Sequence, residues 1–587
     1  MKREKDRIVL QWMSHVAGLK QIYIGVLLLI QILLGVSGVF FALFLSYMID
    51  GASAGKRDVF LRYALAFVGL VAVQIALRAI ARFLTEYTKV SLENRFKERL
   101  FSALLTKDFE SVNGVHTGEW LNRLTSDVTV VTGGMVEILP GLSGMVVKLA
   151  AAVVMLLVLE PRFGYFLIPG GIFLLLFTYA FRRKLKRMHK RIQETDGEVR
   201  ILFQEYLESL LVVRSYGMED MAREEARGKM KTFKKAVLQR NHFSNLCNIG
   251  FGIIMHGAYV AGAIFCGYGI LSRTMTYGTF TAVLQLIGQV QTPFANLTGF
   301  FPRYYAMLAS AERLMDAEFL PDKEVSEILD AKEVHRRYHE ELTGLGLSHA
   351  GFTYRTIVRL SEEGETAGRE TVVLKDINLE IRKGDYVAFT GPSGCGKSTA
   401  LKLFLGLYPL DEGERYLRFD GGKEPLDSSW QKLFAYVPQG NHLMSGTIRE
   451  VVAFSDKEQM KDEARIERAL TIACAKEFVD ELEQGVDTSL GERGAGLSEG
   501  QMQRLAIARA VFSEHPILMM DESTSALDEM TEKQLLTNLH SMTDKTVLIV
   551  THRPAALDIC DKIVKFSEDG VQILENKACK LSQDVVE

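Results

Sequence analysis

The first 300 residues contain runs of uncharged sequence too long and too apolar for a water-soluble domain. The run 22–49 carries no charged residue, 138–159 carries only Lys148, and 163–181, 243–272 and 274–302 carry none. A helix rising about 1.5 Å per residue needs about 20 apolar residues to cross a hydrocarbon core of about 30 Å. With a further span at 57–84, the expectation is six transmembrane helices, at about 22–49, 57–84, 138–159, 163–181, 243–272 and 274–302. The whole chain of 587 residues is 48% hydrophobic and 24% charged, so these runs must be offset by a conventional water-exposed domain. A net charge of −3 gives no reason to expect a nucleic-acid partner. The six cysteines show no CxxC spacing, which argues against a zinc site or a disulfide framework.

Charge sets the orientation. Lys2, Arg3, Lys5 and Arg7 precede the first span, and the RRKLKRMHKR segment at 182–191 follows the fourth. The positive-inside bias places both in the cytoplasm, and an even number of spans returns the C-terminus there. The connectors 78–137 and 182–242 read as helical, implying long cytoplasmic extensions of the membrane helices. Polar residues within the spans, among them Gln74 and Gln289, are expected to face other helices or a cavity.

After about residue 340 the pattern becomes that of an α/β domain. YVAFT (386–390) reads as a strand and leads into GPSGCGKST, comprising Gly391, Pro392, Ser393, Gly394, Cys395, Gly396, Lys397, Ser398 and Thr399. A strand, this loop and then a helix form a phosphate cradle: glycines let backbone N–H groups approach, Lys397 neutralises phosphate charge, and the Ser398 hydroxyl suits Mg2+. PILMMDE (516–522) is an apolar strand ending in Asp521, suited to the Mg2+ shell, and Glu522, suited to polarise an attacking water.

The signature LSEGQMQRLAIARA (497–510) resembles that of ABC-transporter ATPases, and other motifs follow in that family's order. Gln439 in YVPQ is similar to the Q-loop, Asp528 in SALD to the D-loop, His552 in VTHR to the switch histidine, and Tyr354 in GFTY to the adenine-stacking aromatic. The resemblance covers the whole chain and implies an all-α six-helix membrane domain with long cytoplasmic extensions, followed by an α/β P-loop ABC ATPase. The expected boundaries are 1–325 for the membrane domain, 326–340 for a linker and 341–587 for the ATPase. By the same resemblance the cofactors are ATP and Mg2+. Glu522, His552 and Gln439 would be catalytic; Ser398, Gln439 and Asp521 would serve the metal. Ser498, Gly500 and Gln501 would contact nucleotide across a dimer interface. The segments 106–128 and 208–220 resemble the family's coupling loops, with a coupling helix near 111–118.

One copy of each motif implies a half-transporter that pairs with a second half-transporter chain in a lipid bilayer, in a bacterial inner membrane with both termini cytoplasmic. A homodimer is the first expectation. Glu499, where the family has glycine, keeps a heterodimer with one degenerate site open. Tyr354 lies unusually far before Gly391, and the polar segment 361–370 reads as an inserted hairpin tip that explains the excess. The implied function is ATP-driven export of an amphipathic small molecule, lipid or peptide by alternating access. An importer of siderophore-like cargo and a non-transport membrane ATPase acting as sensor or gate are the alternatives.

Overall fold

A computed structural model describes residues 2–323, 327–359, 366–440, 442–491, 494, 496–542, 544–567 and 570–576, with side chains chiefly at 166–183 and 292–299 also outside the description. The chain divides into two compact units, Met1–Phe101 with Leu121–Ala317, and Ser102–Trp120 with Glu318–Glu587.

The first unit is helical. A separate helix, Lys2–Ala17, is followed by a single 3-10 turn and then by Gln21–Ser53. Helices Arg57–Thr106, Val128–Leu159, Gly164–Glu208, Glu219–Leu271 and Tyr277–Glu318 complete the series. Most of these far exceed a bilayer's thickness, so the same helices carry both span and extension. Among the described residues four helical stretches are long and apolar enough to cross a membrane: Glu4–Ser53, Arg57–Thr106, Thr117–Leu159 and Glu219–Leu271. The expected spans 163–181 and 274–302 include many of the side chains outside the description.

The apolar core of this unit includes Val39, Ala42, Ala152, Leu156, Phe163, Cys266, Val283 and Leu286, drawn from several helices. Two of the polar residues within the spans bond between helices. Gln74 Nε2 donates to Ser37 Oγ at 3.0 Å, and Gln289 Nε2 donates to the Gly38 carbonyl at 2.7 Å. In lipid an amide has no water to turn to, so neighbouring helices supply its partners.

The second unit is built on two sheets. The six-stranded sheet runs Gly570–Glu575, Lys562–Ser567, Tyr386–Thr390, Thr546–Val550, Ile517–Asp521, Phe434–Val437, with every neighbouring pair parallel except the first. Its central strands are near-continuous apolar runs because both faces are covered. A four-stranded antiparallel sheet pairs Leu342–Arg359 with Thr366–Arg382 and with Glu412–Phe419. The long hairpin pairs without a shift from Thr353 opposite Val372 out to Arg359 opposite Thr366, which accounts for the wide interval between Tyr354 and Gly391; residues 366–370 of the expected tip are therefore paired strand, and 360–365 lie outside the described residues.

Two boundaries differ from those expected. Residues 326–340 are not a bare linker: Ala331–Glu340 is a helix whose Val334 and Tyr338 are 0% and 1% exposed in the ATPase core. Their i, i+4 spacing puts both on one face, and burying side chains of this size stabilises by roughly 1.5–3 kcal/mol each. Residues 102–120, inside the expected membrane domain, group with the ATPase unit.

Candidate functional site

Four neighbouring parallel strands bring the chemistry together. Their order is Tyr386–Thr390, Thr546–Val550, Ile517–Asp521, Phe434–Val437. At their C-terminal ends stand, respectively, the glycine loop, the segment holding His552, the pair Asp521 and Glu522, and the segment holding Gln439. In open α/β sheets this edge is where ligands bind, since loops leaving parallel strands open there.

The glycine loop wraps from Gly391 to the helix Lys397–Phe404. Gly391 and Gly396 sit at φ +138° and +99°, and a Cβ at either would run into the Phe566 carbonyl or the Leu374 side chain. Only glycine meets both demands. Pro392, Ser393 and Gly394 are exposed, Cys395 and Ser398 half-buried, and Thr399 buried. Lys397 is 5% exposed, and its Nζ donates to the carbonyls of Gly391 at 2.7 Å and Pro392 at 2.8 Å. The ammonium thus lies in the hollow of its own loop.

Ser398 Oγ donates to Asp521 Oδ1 at 2.7 Å, and Tyr436 Oη donates to Oδ2 at 3.2 Å. Burial leaves the Asp521 carboxyl above its ordinary value, although the two hydroxyls pull the other way. A buried carboxylate beside a hydroxyl is an oxygen donor set that fits a hard divalent cation such as Mg2+. Among the described residues no group of three or more His, Cys, Asp or Glu could hold a metal.

Glu522 follows the strand end with φ +50°, a left-handed conformation uncommon away from glycine. Its N–H donates to the Val550 carbonyl at 3.1 Å, and its Oε2 accepts from Gln439 Nε2 at 2.8 Å. The strained backbone is held by the neighbouring strand, and it accompanies a carboxylate already paired with the glutamine. His552, two residues beyond the adjacent strand, is exposed.

Tyr354 is half-buried, and its Oη lies 3.2 Å from Thr399 Oγ1; Phe352, two residues earlier, is 1% exposed and belongs to the core. Of the two, Tyr354 is the one that stays part-exposed beside the glycine loop.

The remaining expected residues are held elsewhere. Ser498 caps the helix Glu499–Phe512 in a reciprocal capping box with Gln501, with bonds of 3.3 Å and 2.8 Å. Gly500 packs so closely on the next loop that a Cβ would lie 2.9 Å from the Ala526 carbonyl. Asp528 accepts from the Thr531 N–H at 2.9 Å as the cap of Glu529–His540. These residues make a helix start and a helix cap, and no hydrogen bond among the described residues joins their side chains to the glycine loop.

The motif-by-motif reading misses two residues that fix the loop 525–528. Gln503 Nε2 donates to Ser525 Oγ at 3.1 Å while its Oε1 accepts from the Ala526 N–H at 3.0 Å. Arg553 donates to the carbonyls of Leu527 at 2.8 Å and Ser525 at 2.6 Å. Both lie within or beside motifs already identified, but what they bond to depends on strand order.

Comparison with known proteins finds relatives over both parts of the chain. Residues 24–294 match the family model for the ABC transporter transmembrane region, and 374–525 match that for the ABC transporter. The chain is 28% identical over 537 residues to an ATP-dependent lipid A-core flippase of Pectobacterium atrosepticum, covering 89% of this chain and 86% of that protein. It is 28% identical over 523 residues to an ATP-dependent permease of Candida albicans, covering 84% and 70% respectively. The solved structure of a bacterial Atm1-family ABC exporter with ATP bound shares the fold, with a TM-score of 0.74 at 21% identity over 96% of each chain. The chain belongs to the ABC transporters: a helical membrane domain fused to a nucleotide-binding ATPase that drives transport across the membrane.

Proposed function

We propose that this protein is an exporter that moves an amphipathic molecule, a lipid first among candidates, out of the cytoplasm by alternating access. The observation that carries the catalytic part is the pairing at adjacent strand ends of Ser398 with Asp521 and of Gln439 with Glu522. Lipid is favoured because the lipid A-core flippase is similar over most of both chains.

In this reading the glycine loop and Lys397 hold the phosphates, and Tyr354 stacks on the adenine. Mg2+, when bound by Ser398 and Asp521 with Gln439 nearby, supplies charge neutralisation on the phosphates. Glu522 accepts a proton from the attacking water, and Gln439 orients that carboxylate until nucleotide arrives. His552 donates to the terminal phosphate. Ser498, Gly500 and Gln501 offer their helix N-terminus to nucleotide held by a second chain, and Asp528 stands at the same interface. The protein works as a dimer in the plasma membrane, with its N- and C-termini in the cytoplasm.

A homodimer is the simpler arrangement, because Glu499 is exposed in the first helical turn and is free to point away from the phosphates. Native mass spectrometry of the protein purified alone, with ATPase activity on the same sample, tests this. An active dimer supports two equal sites, whereas an inactive monomer points to a different partner chain. Reconstitution into vesicles with a fluorescent phospholipid tests the cargo: ATP-dependent translocation is expected, and its absence alongside full ATPase activity would reject lipid.

A further inference from the structure

Within the ATPase unit, two stretches of chain 215 residues apart run side by side: 106–108 in the first cytoplasmic loop, and 321–323 just beyond the last long helix. The Asp108 N–H donates to the Pro321 carbonyl and the Lys323 N–H to the Thr106 carbonyl, both at 2.9 Å. Between these rungs Lys107 Nζ meets Asp322 Oδ1 at 2.7 Å. The Lys107 side chain is 8% exposed, although that of Asp322 is 72% exposed. An exposed ion pair alone would not hold a lysine out of water, so packing of its stem fixes it there.

Asp108 belongs to two structures at once. Its N–H is a rung of the bridge, and its carboxylate accepts from the Ser111 N–H at 3.1 Å, capping the helix Phe109–Asn113. Phe109 stands edge-on to Tyr408 with ring centroids 5.6 Å apart, and Glu110 Oε1 accepts from the Arg355 N–H at 3.4 Å. Tyr408 in turn lies 5.5 Å from Tyr354, the ring beside the glycine loop. A helix of five residues cannot hold its own conformation in water, so its seat depends on what anchors its ends.

We propose that the bridge between 106–108 and 321–323 is a strap that positions Phe109–Asn113 on the ATPase, with Lys107 and Asp322 as its positioning residues. It ties the first cytoplasmic loop to the chain leaving the last long helix. A movement of the ATPase then reaches both connections together instead of being taken up by slack in either. This rests on the transport reading above, and it makes the segment after the last helix part of the drive.

The test uses the full-length protein in lipid nanodiscs, comparing amide hydrogen exchange with and without Mg-ATP and orthovanadate, alongside ATPase rate. The variants are Lys323→Pro, which deletes one rung, the pair Lys107→Met with Asp322→Asn, and the swap Lys107→Asp with Asp322→Lys. In the first two, exchange at 109–113 should rise by up to about tenfold while basal ATPase stays within about twofold. The nucleotide-induced change of exchange in Gln21–Ser53 and Tyr277–Glu318 should fall at least about fivefold, and the swap should restore much of it. Variants that keep the full nucleotide-induced change would overturn the strap. A parent protein with no such change in its membrane helices would instead overturn the transport reading, and the strap with it. Should Lys323→Pro misfold, the side-chain pair and its swap decide the matter alone.

Discussion

Gln439 Nε2 and Glu522 Oε2 are hydrogen-bonded at 2.8 Å, although 83 residues separate them and each leaves a different strand of the sheet. The bond engages one oxygen of the carboxylate that the proposed chemistry uses as a base, and a carboxylate has a second oxygen to offer a water. Glu522→Gln is expected to lower ATP hydrolysis about 10²- to 10⁴-fold while leaving ATP binding intact. Steady-state phosphate release and binding of a fluorescent ATP analogue check this, and near-parental turnover would show that another residue serves as base.

Lys397 is satisfied without nucleotide by two carbonyls of its own loop. In the proposed site it would exchange those neutral acceptors for phosphate oxygens, and charge-assisted bonds are the stronger kind. Lys397→Ala should weaken ATP binding by about 10- to 100-fold, as expected for loss of a charged hydrogen bond. Isothermal titration calorimetry provides the measurement.

At Gly500 the constraint is steric. A methyl group there lies 2.9 Å from the Ala526 carbonyl and must displace the loop that Gln503 and Arg553 hold in place. Gly500→Ala should cost about 1–3 kcal/mol of ATPase-unit stability and most of the hydrolytic activity. Thermal unfolding in parallel with ATPase rate separates the two effects. An unchanged melting temperature together with full activity would show that the loop yields without cost.

His515 provides the pH dependence. Burial holds it below its ordinary value of 6.5, and its Nδ1 lies 2.8 Å from the Phe434 carbonyl, in the sense of an Nδ1–H donor. The unfolded chain takes up a proton near the ordinary value, whereas the folded chain resists until lower pH. The histidine's contribution is therefore complete above the ordinary value and is lost as pH falls from there toward the depressed folded value. The melting temperature of the ATPase unit should drop over that window. His515→Asn should flatten the drop while lowering the melting temperature at neutral pH, since packing is lost as well.

The glycine loop, the paired acids and the signature helix were legible because each is a local pattern with its own physical cause. Glycine is favoured at the positive φ angles of the loop, and the two acids follow directly on an apolar strand. The span 22–49 was legible for a similar reason, since hydrophobic length maps directly onto bilayer thickness. Less was visible around 326–340, where a short, highly charged helix hides two core residues, Val334 and Tyr338, among its polar neighbours.

Sequence alone determined the two-part architecture and the ATPase assignment, since periodicity and motif spacing are properties of neighbouring residues. Tertiary structure decided which of the motif residues meet. The strand order places Gln439 beside Glu522, and packing buries Phe352 while leaving Tyr354 part-exposed near the glycine loop. It also laid 106–108, part of a segment that resembles a coupling loop, against 321–323, which no motif announces. Backbone bonds of that kind depend on which chain segments the packed cores bring side by side, and local sequence carries almost no trace of that choice.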